Sequence, residues 1–477
     1  MMEASFGHIL LLPFPFQGHI MPFMEMANRL VDAGFTVTFA NTDFNHRRLL
    51  AAGNGYADNE LSSSGRRLRL LGIPDGLESD EERKNVARIC QVIPGAMAAG
   101  VEGVIRSAAD EGRPFRWILS DQLMSWAVPL GLREGLRAAV FWTSSAAMLA
   151  ISLSIPKMIQ IGLIAEDGLP KKHAVFQLAP GVPGLHTAQL AWNNAGSNLA
   201  DKSCVFSFVL TNNRATADHA ELLIFNSFED LEPQALSLLP SPVPVGPLFS
   251  ADHHPTGSLW PLENPSTILR WLDSHPVGSV LYIAFGSHTI FSEAQIEELA
   301  RGLELTGRPF LWAVRPDLTA ERRDAAFSPE YLKRIEGRGL LVGWAPQRRV
   351  LAHPSIGCFM SHCGWNSILE GLTAGVRFLC WPYFADQFLN ETYICDTWKV
   401  GLSVGHREDG TGAGAGGGEM MLVKGEQIRK RVEEVMRDEE IGKRAHVWKE
   451  RATQNVNPSG TCHENFNMVL NVLGSTP

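Results

Sequence analysis

Residues 344–387 read WAPQRRVLAHPSIGCFMSHCGWNSILEGLTAGVRFLCWPYFADQ. Within them 356–360 reads as a buried strand, Ser361-His362-Cys363-Gly364-Trp365-Asn366-Ser367 as a turn, and Ile368, Leu369 and Leu372 as the apolar face of a helix. An imidazole, a glycine and two small polar residues therefore fall at a helix N-terminus, where free N–H groups and the positive end of the dipole favour an anion. Gly364 is expected to let that anion approach the backbone, and a diphosphate suits the place. One turn further, Glu370 can accept from a ribose diol, while Trp344 offers a flat face to a base. Asp386-Gln387 follows strand 378–381 at a second strand-to-helix turn, where a carboxylate beside an amide suits vicinal sugar hydroxyls.

Upstream, strand-like runs at 280–285, 310–314 and 340–342 alternate with helical patterns. Ser292, Glu293 and Gln295 read as a capping box before Ile296, Leu299, Ala300 and Leu303, and Gly307 closes that helix. The first half repeats the alternation, with strands at 8–12, 36–40, 68–73, 117–120, 138–142 and 222–226. Between the first two, Phe23, Met26, Ala27 and Leu30 form an amphipathic face, with Pro22 near the helix start and Gly34 past its end. Both halves are parallel α/β units. Periodicity stops around Pro242, Pro244, Pro247 and residues 250–257, the expected linker. Residues 412–418 formally satisfy GxGxxG but join no strand to a helix, so they read as a surface insertion and not a dinucleotide turn.

The chain has 477 residues, 45% hydrophobic and 19% charged, with a formal net charge of -9. That is the balance of a folded, multi-domain protein, and it disfavours binding to a nucleic acid. Its seven cysteines are scattered without a CxxC pair, as in a reduced protein. The apolar 9–12 lacks a basic flank and is broken by Pro13 and Pro15, so no signal peptide is read, and no window has about 18 uninterrupted apolar residues. A cytoplasmic protein without a membrane anchor is expected.

The whole of 344–387 closely resembles the signature segment of plant UDP-dependent glycosyltransferases (family 1 glycosyltransferases), beginning in Trp and ending in Gln as that signature does. PFPFQGHIMPFMEMANRL, LSDQLMSWA, FWTSSA, FNSFEDLEP and IAFGS resemble further blocks of the family, in family order, so the likeness covers essentially the whole chain. It implies the GT-B fold: two Rossmann-like domains with parallel sheets facing across a cleft. Residues 1–245 would bind the acceptor, 246–262 would link, and 263–477 would bind the UDP-sugar, with the last helix packing back on the first domain. The resemblance sets uracil on Trp344 with backbone contacts from Ala345, and ribose on Gln347 and Glu370. It sets the diphosphate on His362, Asn366, Ser367 and Ser287 beside Gly364, and the sugar on Trp365, Asp386, Gln387 and Thr143. A closing Gln is associated with glucose. Arg377, where the family usually has proline, is a departure expected to loosen a turn away from the ligand residues.

His19 follows the first strand in Gln17-Gly18-His19, at the carboxyl end where open α/β sheets place ligands. Alone it could be a structural histidine; its match to the family's catalytic histidine favours a general base. Asp121 follows strand 117–120 and could be a helix N-cap or the aspartate that orients His19. Phe16, Leu123, Trp142 and Phe384 flank these positions and would line an apolar acceptor pocket. Trp126, Trp271, Trp312 and Trp398 read as core, and the charge run 80–84 as a solvated helix face. His353, His362 and Cys363 have no metal-site spacing, so no metal is expected.

The expected activity is therefore inverting transfer of glucose from UDP-glucose to small hydroxylated lipophiles such as flavonoids, monolignols or other phenylpropanoids. No cofactor and no partner beyond the two substrates is expected, and the protein is expected to be a monomer. The alternatives are another UDP-sugar donor, glucose esters as products, or a non-catalytic UDP-sugar-binding protein. An NAD-dependent dehydrogenase lacks a credible fingerprint.

Overall fold

The first-half strands are β1 (His8–Leu12), β2 (Thr36–Thr42), β3 (Leu68–Ile73), β4 (Trp117–Asp121) and β5 (Arg137–Trp142). An antiparallel hairpin of β6 (Val175–Phe176) and β7 (Leu185–His186) stands apart, and β8 (Leu222–Phe225) and β9 (Pro242–Pro244) complete the sheet. The second half contributes β10 (Val280–Ala284), β11 (Phe310–Ala313), β12 (Gly339–Val342), β13 (Ile356–Ser361), β14 (Arg377–Cys380) and β15 (Gly401–Ser403). This computed structural model describes residues 6–52, 67–195, 198–248, 257–261, 264–315, 327–405 and 422–475. Most of the expected linker and the glycine-rich 412–418 lie outside the described residues.

Two parallel sheets result, ordered β3-β2-β1-β4-β5-β8-β9 and β12-β11-β10-β13-β14-β15. Strands such as Leu10–Leu12 read as unbroken apolar runs because helices cover both faces. No strand was expected where periodicity stops around Pro242 and Pro244, yet Pro242–Pro244 is a strand, paired parallel to β8. Its prolines are tolerated because β9 is an edge strand, where missing N–H groups cost no ladder bond. Three-residue β15 at the other sheet's edge was too short to be read as a strand.

Local chemistry explains several helix ends. Ser292 caps Glu293–Thr306 by accepting from the Gln295 N–H, and Gly307 ends it at φ 65. The expected capping box is only half made, because the Gln295 amide pairs with both backbone groups of Val423. The helix after β1 spans Gln17–Asp32 and so begins before Pro22, which lies inside it. Helix Asp80–Lys84 buries no residue completely, but Arg83 turns inward to hold the buried Asp75 through two hydrogen bonds, so the charge run is not wholly solvated. Arg377 donates to the Asp438 carbonyl, a contact that proline could not make. Helix Val86–Asp110 is by length and composition apolar enough to cross a membrane; in the fold Ile89, Ile93, Met97, Val101 and Ile105 pack into the core at i, i+4 spacing.

The halves are joined by more than the linker. Trp365 Nε1 donates to the Asn226 carbonyl at 2.8 Å and Trp398 Nε1 to the Leu231 carbonyl at 3.2 Å. Trp398 is thus a strut between domains as well as a core residue. Trp312 is fully buried, whereas Trp126 and Trp271 are partly buried at the core's margin. The last helix, Thr461–Gly474, lies against the first sheet: Phe466, Val469 and Leu473 pack with Phe35, Trp117 and Leu119, and Trp117 Nε1 donates to the Leu473 carbonyl. Leu473→Ala should destabilise the first domain by about 2–5 kcal/mol through lost burial and a residual cavity, read as an earlier urea transition by tryptophan fluorescence.

Candidate functional site

Parallel pairing of β1 with β4 sets Leu12 opposite Ser120, so the turns carrying His19 and Asp121 leave the same sheet edge. His19 Nδ1 lies 2.8 Å from Asp121 Oδ2 and 3.0 Å from Thr143 Oγ1. The aspartate side chain is 0% exposed and the histidine 18%. The other Asp121 oxygen accepts from the Leu123 N–H. The two readings of Asp121 are therefore compatible: Oδ1 caps a helical turn while Oδ2 holds the imidazole. Hydrogen bonding at Nδ1 leaves Nε2 as the nitrogen available to a reacting hydroxyl. Thr143, expected at the sugar, reaches His19 itself.

A cavity of about 300 Å³ between the sheets is lined by His19, Thr143, Ser287, Trp344, Ala345, Gln347, His362, Gly364, Trp365, Asn366, Ser367, Glu370, Asp386 and Gln387. Phe16, Leu123, Trp142 and Phe384 line it too, with Trp192 and Phe208, which sequence reading did not single out. Asp121 alone of the expected residues stands behind the wall. Phe16, His288 and Phe384 also line an adjoining chamber of about 870 Å³.

On the second-domain side the helix Trp365–Ala374 has no side-chain cap at its N-terminus, so its first N–H groups remain available. Gly364 serves a purpose beyond the expected one. A Cβ there would come within 2.4 Å of His362 Nε2, as would one at Gly286, so the two glycines make room for the imidazole. Burial, with the nearby Arg315 guanidinium, lowers the His362 pKa to about 4, so this ring is neutral at pH 7. Its Nδ1 is buried with no hydrogen-bond partner. The indole N–H of Trp365, expected at the sugar, is directed instead to Asn226, and the ring is 3% exposed.

Asn366 also has a second task. Pro22 has no N–H, so the Gly18 carbonyl one turn earlier in its helix lacks an intrahelical partner, and Asn366 Nδ2 donates to it at 2.6 Å across the cleft. Gln17 holds residues 257–259, donating to the Gly257 carbonyl and accepting from the Leu259 N–H. Next to that segment Trp260 stacks on Trp344, ring centroids 4.8 Å apart, and the Arg48 guanidinium lies over the Trp260 ring at 4.2 Å from its centroid. A lone tryptophan inside a proline-rich linker was the signal for this contact.

Gln347 donates to Ser367 Oγ at 2.9 Å and to Glu370 Oε2 at 2.7 Å, and accepts from the Tyr282 hydroxyl. Burial raises the Glu370 pKa to about 7, against the opposing influence of Arg348 and the Gln347 bond. Burial likewise raises that of Asp386, whose Oδ2 accepts from Ser144 Oγ and Asn390 Nδ2. Gln387 Oε1 accepts the N–H groups of Tyr383 and Phe384 at 2.8 and 3.1 Å. That amide was expected to offer a sugar both donor and acceptor; with its oxygen engaged, it offers the NH₂ group. Among the described residues no group of three His, Cys, Asp or Glu is placed to hold a metal ion.

Residues 203–406 match the family model described as UDP-glucoronosyl and UDP-glucosyl transferase. The chain is 36% identical over 476 residues to UDP-glycosyltransferase 83A1 of Arabidopsis thaliana, covering 98% of this chain and 97% of that protein. Its fold matches Medicago truncatula UGT71G1 complexed with UDP-glucose, with a TM-score of 0.80 at 25% identity, covering 98% of each chain. It also matches a Polygonum tinctorium UDP-glucosyltransferase capable of glucosylating indoxyl, in complex with 3,4-dichloroaniline, with a TM-score of 0.78 at 26% identity over the full length of both. With a relative 36% identical over nearly its whole length and a GT-B fold, this chain belongs to the plant UDP-glycosyltransferase family.

Proposed function

We propose that the protein transfers glucose from UDP-α-glucose, with inversion, to a hydroxyl of a small lipophilic acceptor such as a flavonoid, a monolignol or another phenylpropanoid. The observation that carries this reading is the His19–Asp121 pair, set where the apolar part of the cavity meets the donor residues. His19 Nε2 takes the acceptor proton as the hydroxyl oxygen attacks the anomeric carbon. The bond from that carbon to the diphosphate oxygen breaks, and UDP leaves from the opposite face. Attack opposite the leaving group converts the α-linked donor into a β-glucoside. Asp121, buried and bonded at Nδ1, stabilises the imidazolium that forms.

In this reading the base lies against Trp344, the ribose against Gln347 and Glu370, and the diphosphate against the N–H groups of helix Trp365–Ala374, with Ser287, Asn366, Ser367 and neutral His362. The Asp386 carboxyl and the Gln387 NH₂ group face the sugar. Phe16, Leu123, Trp142 and Phe384 receive the acceptor, and the planar aromatic ligand of the Polygonum protein is of a size such a wall suits. Mass-spectrometric screening of UDP-glucose against a phenolic library tests the assignment, and absence of glucoside from every hydroxylated acceptor would overturn it.

His19→Ala should lower turnover by about 10²- to 10⁴-fold, the usual contribution of a positioned base, while calorimetric affinity for UDP is retained. A comparable loss of UDP affinity would make His19 a donor ligand instead. Donor binding should also depend on pH. Ribose hydroxyls donate to ionised Glu370, so binding favours the deprotonated carboxyl, whose pKa is raised to about 7 in the free protein. Affinity for UDP-glucose, whose diphosphate does not titrate near neutrality, should rise with pH up to about 7 and then level. Glu370→Gln should flatten that profile in calorimetry from pH 5.5 to 8.

A further inference from the structure

The segment 383–387 carries both proposed sugar contacts, yet its shape is not set by the second domain alone. Ala385 adopts φ 56, a left-handed conformation that an alanine does not favour. Inside the segment, Gln387 Oε1 gathers the N–H groups of Tyr383 and Phe384. The backbone of Ala385 itself is held from across the cleft. Its N–H donates to Asn194 Oδ1 at 2.7 Å, and its carbonyl accepts from Asn194 Nδ2 at 3.4 Å. The second N–H of that amide donates to the Gln189 carbonyl at 3.1 Å, which fixes the side chain's orientation.

Asn194 ends the short helix Ala191–Asn194 of the first domain, which is itself anchored. Two residues earlier Trp192 is 1% exposed and donates its indole N–H to the Gly168 carbonyl at 2.8 Å. Ala191, Trp192 and Ala195 line the cavity beside the expected acceptor wall. A rigid piece of the acceptor domain therefore grips the residue that immediately precedes Asp386 and Gln387. Only an amide serves there, because it must accept from one N–H while donating to two carbonyls. Aspartate would face both carbonyls with a charge and no donor.

We propose that Asn194 is a positioning residue for the sugar: by holding Ala385 left-handed it aims Asp386 and Gln387, so that sugar selection requires the acceptor domain to be docked on the donor domain. The proposal rests on the reading that these two side chains face the sugar. Its consequence is separable from nucleotide binding, because uracil, ribose and diphosphate meet residues that Asn194 does not touch.

The test compares the natural protein with Asn194→Ala, Asn194→Asp, and Asn194→Ala combined with Ala385→Gly, using UDP, UDP-glucose and UDP-galactose. Asn194→Ala should leave the calorimetric Kd for UDP within about twofold and weaken UDP-glucose about tenfold, the loss of roughly one hydrogen bond's worth of positioning. The glucose-to-galactose ratio of kcat/KM, measured with one acceptor, should fall by a similar factor. Asn194→Asp should behave no better. Glycine at 385 occupies the left-handed region without a Cβ penalty, so the double variant should recover several-fold of the lost UDP-glucose affinity, which a merely structural defect would not do. Equal weakening of UDP and UDP-glucose, or an unchanged donor ratio in Asn194→Ala, would overturn the proposal. A natural protein that does not distinguish glucose from galactose would instead remove the sugar-contact reading beneath it.

Discussion

Parallel strands covered by helices on both faces leave only their ends free to carry chemistry, and the groups proposed to react in this protein obey that constraint. β1 and β4 deliver His19 and Asp121 to one edge, β13 delivers the His362–Ser367 turn, and β14 delivers Asp386 and Gln387. In each case the strand is apolar because it is buried, and the polar residues of the proposed site lie at its carboxyl end or in the turn that follows. The sites of two sheets become one site only because the domains face each other across these edges. Struts behind the cleft, such as Trp365 to Asn226 and Trp398 to Leu231, bury indoles whose N–H groups need carbonyl partners in the other domain. They hold the domains together independently of the polar contacts that line the cleft.

Those cleft contacts have a different character. The Gly18 carbonyl, left over by Pro22, accepts from Asn366, and Ser144 donates to Asp386. Each joins a residue of one domain's chemistry to a residue of the other's. Asn366 is expected on the diphosphate and at the same time touches the peptide that precedes His19, the proposed base. A donor that draws on the Asn366 amide therefore also bears on the position of His19. The order of the domains along the chain places no such pair in sequence proximity, and only the docked arrangement creates it.

This explains what was legible in the sequence. Alternation of apolar runs with helical periodicity identified two parallel α/β units, because burial on both faces leaves a compositional mark on the strands themselves. The segment 344–387 was legible because its turns are contiguous in sequence, as were His19 and Asp121 at strand ends. What escaped was set by partners far away along the chain. Nothing in Gly364 reveals that its missing side chain makes room for His362. Nothing near Trp365 announces that its indole points to residue 226, nor near Gln387 that its oxygen closes its own loop. Pro242–Pro244 was lost for a local reason, since prolines that mark a linker are also tolerated at a sheet edge.

The electrostatics of the cavity follow from the same burial. In the proposed reading a donor brings a diphosphate into a largely buried crevice where uncompensated charge is costly. Among the described residues no lysine lines this cavity. In that reading the protein supplies uncapped helix N–H groups and a His362 kept neutral by burial and by Arg315, whose guanidinium donates to the Thr289 carbonyl. Fixed dipoles of this kind need no reorganisation when negative charge develops on the leaving UDP. The carboxyls that share the cavity have their pKa values raised by the same desolvation, Glu370 to about 7 and Asp386 in the same direction. Asp121 is equally buried, but its charge is set behind His19, where it favours the imidazolium and lies away from the nucleotide. In the proposed reading Asp121 supports proton removal on the acceptor side, while the helix N–H groups support UDP departure on the donor side.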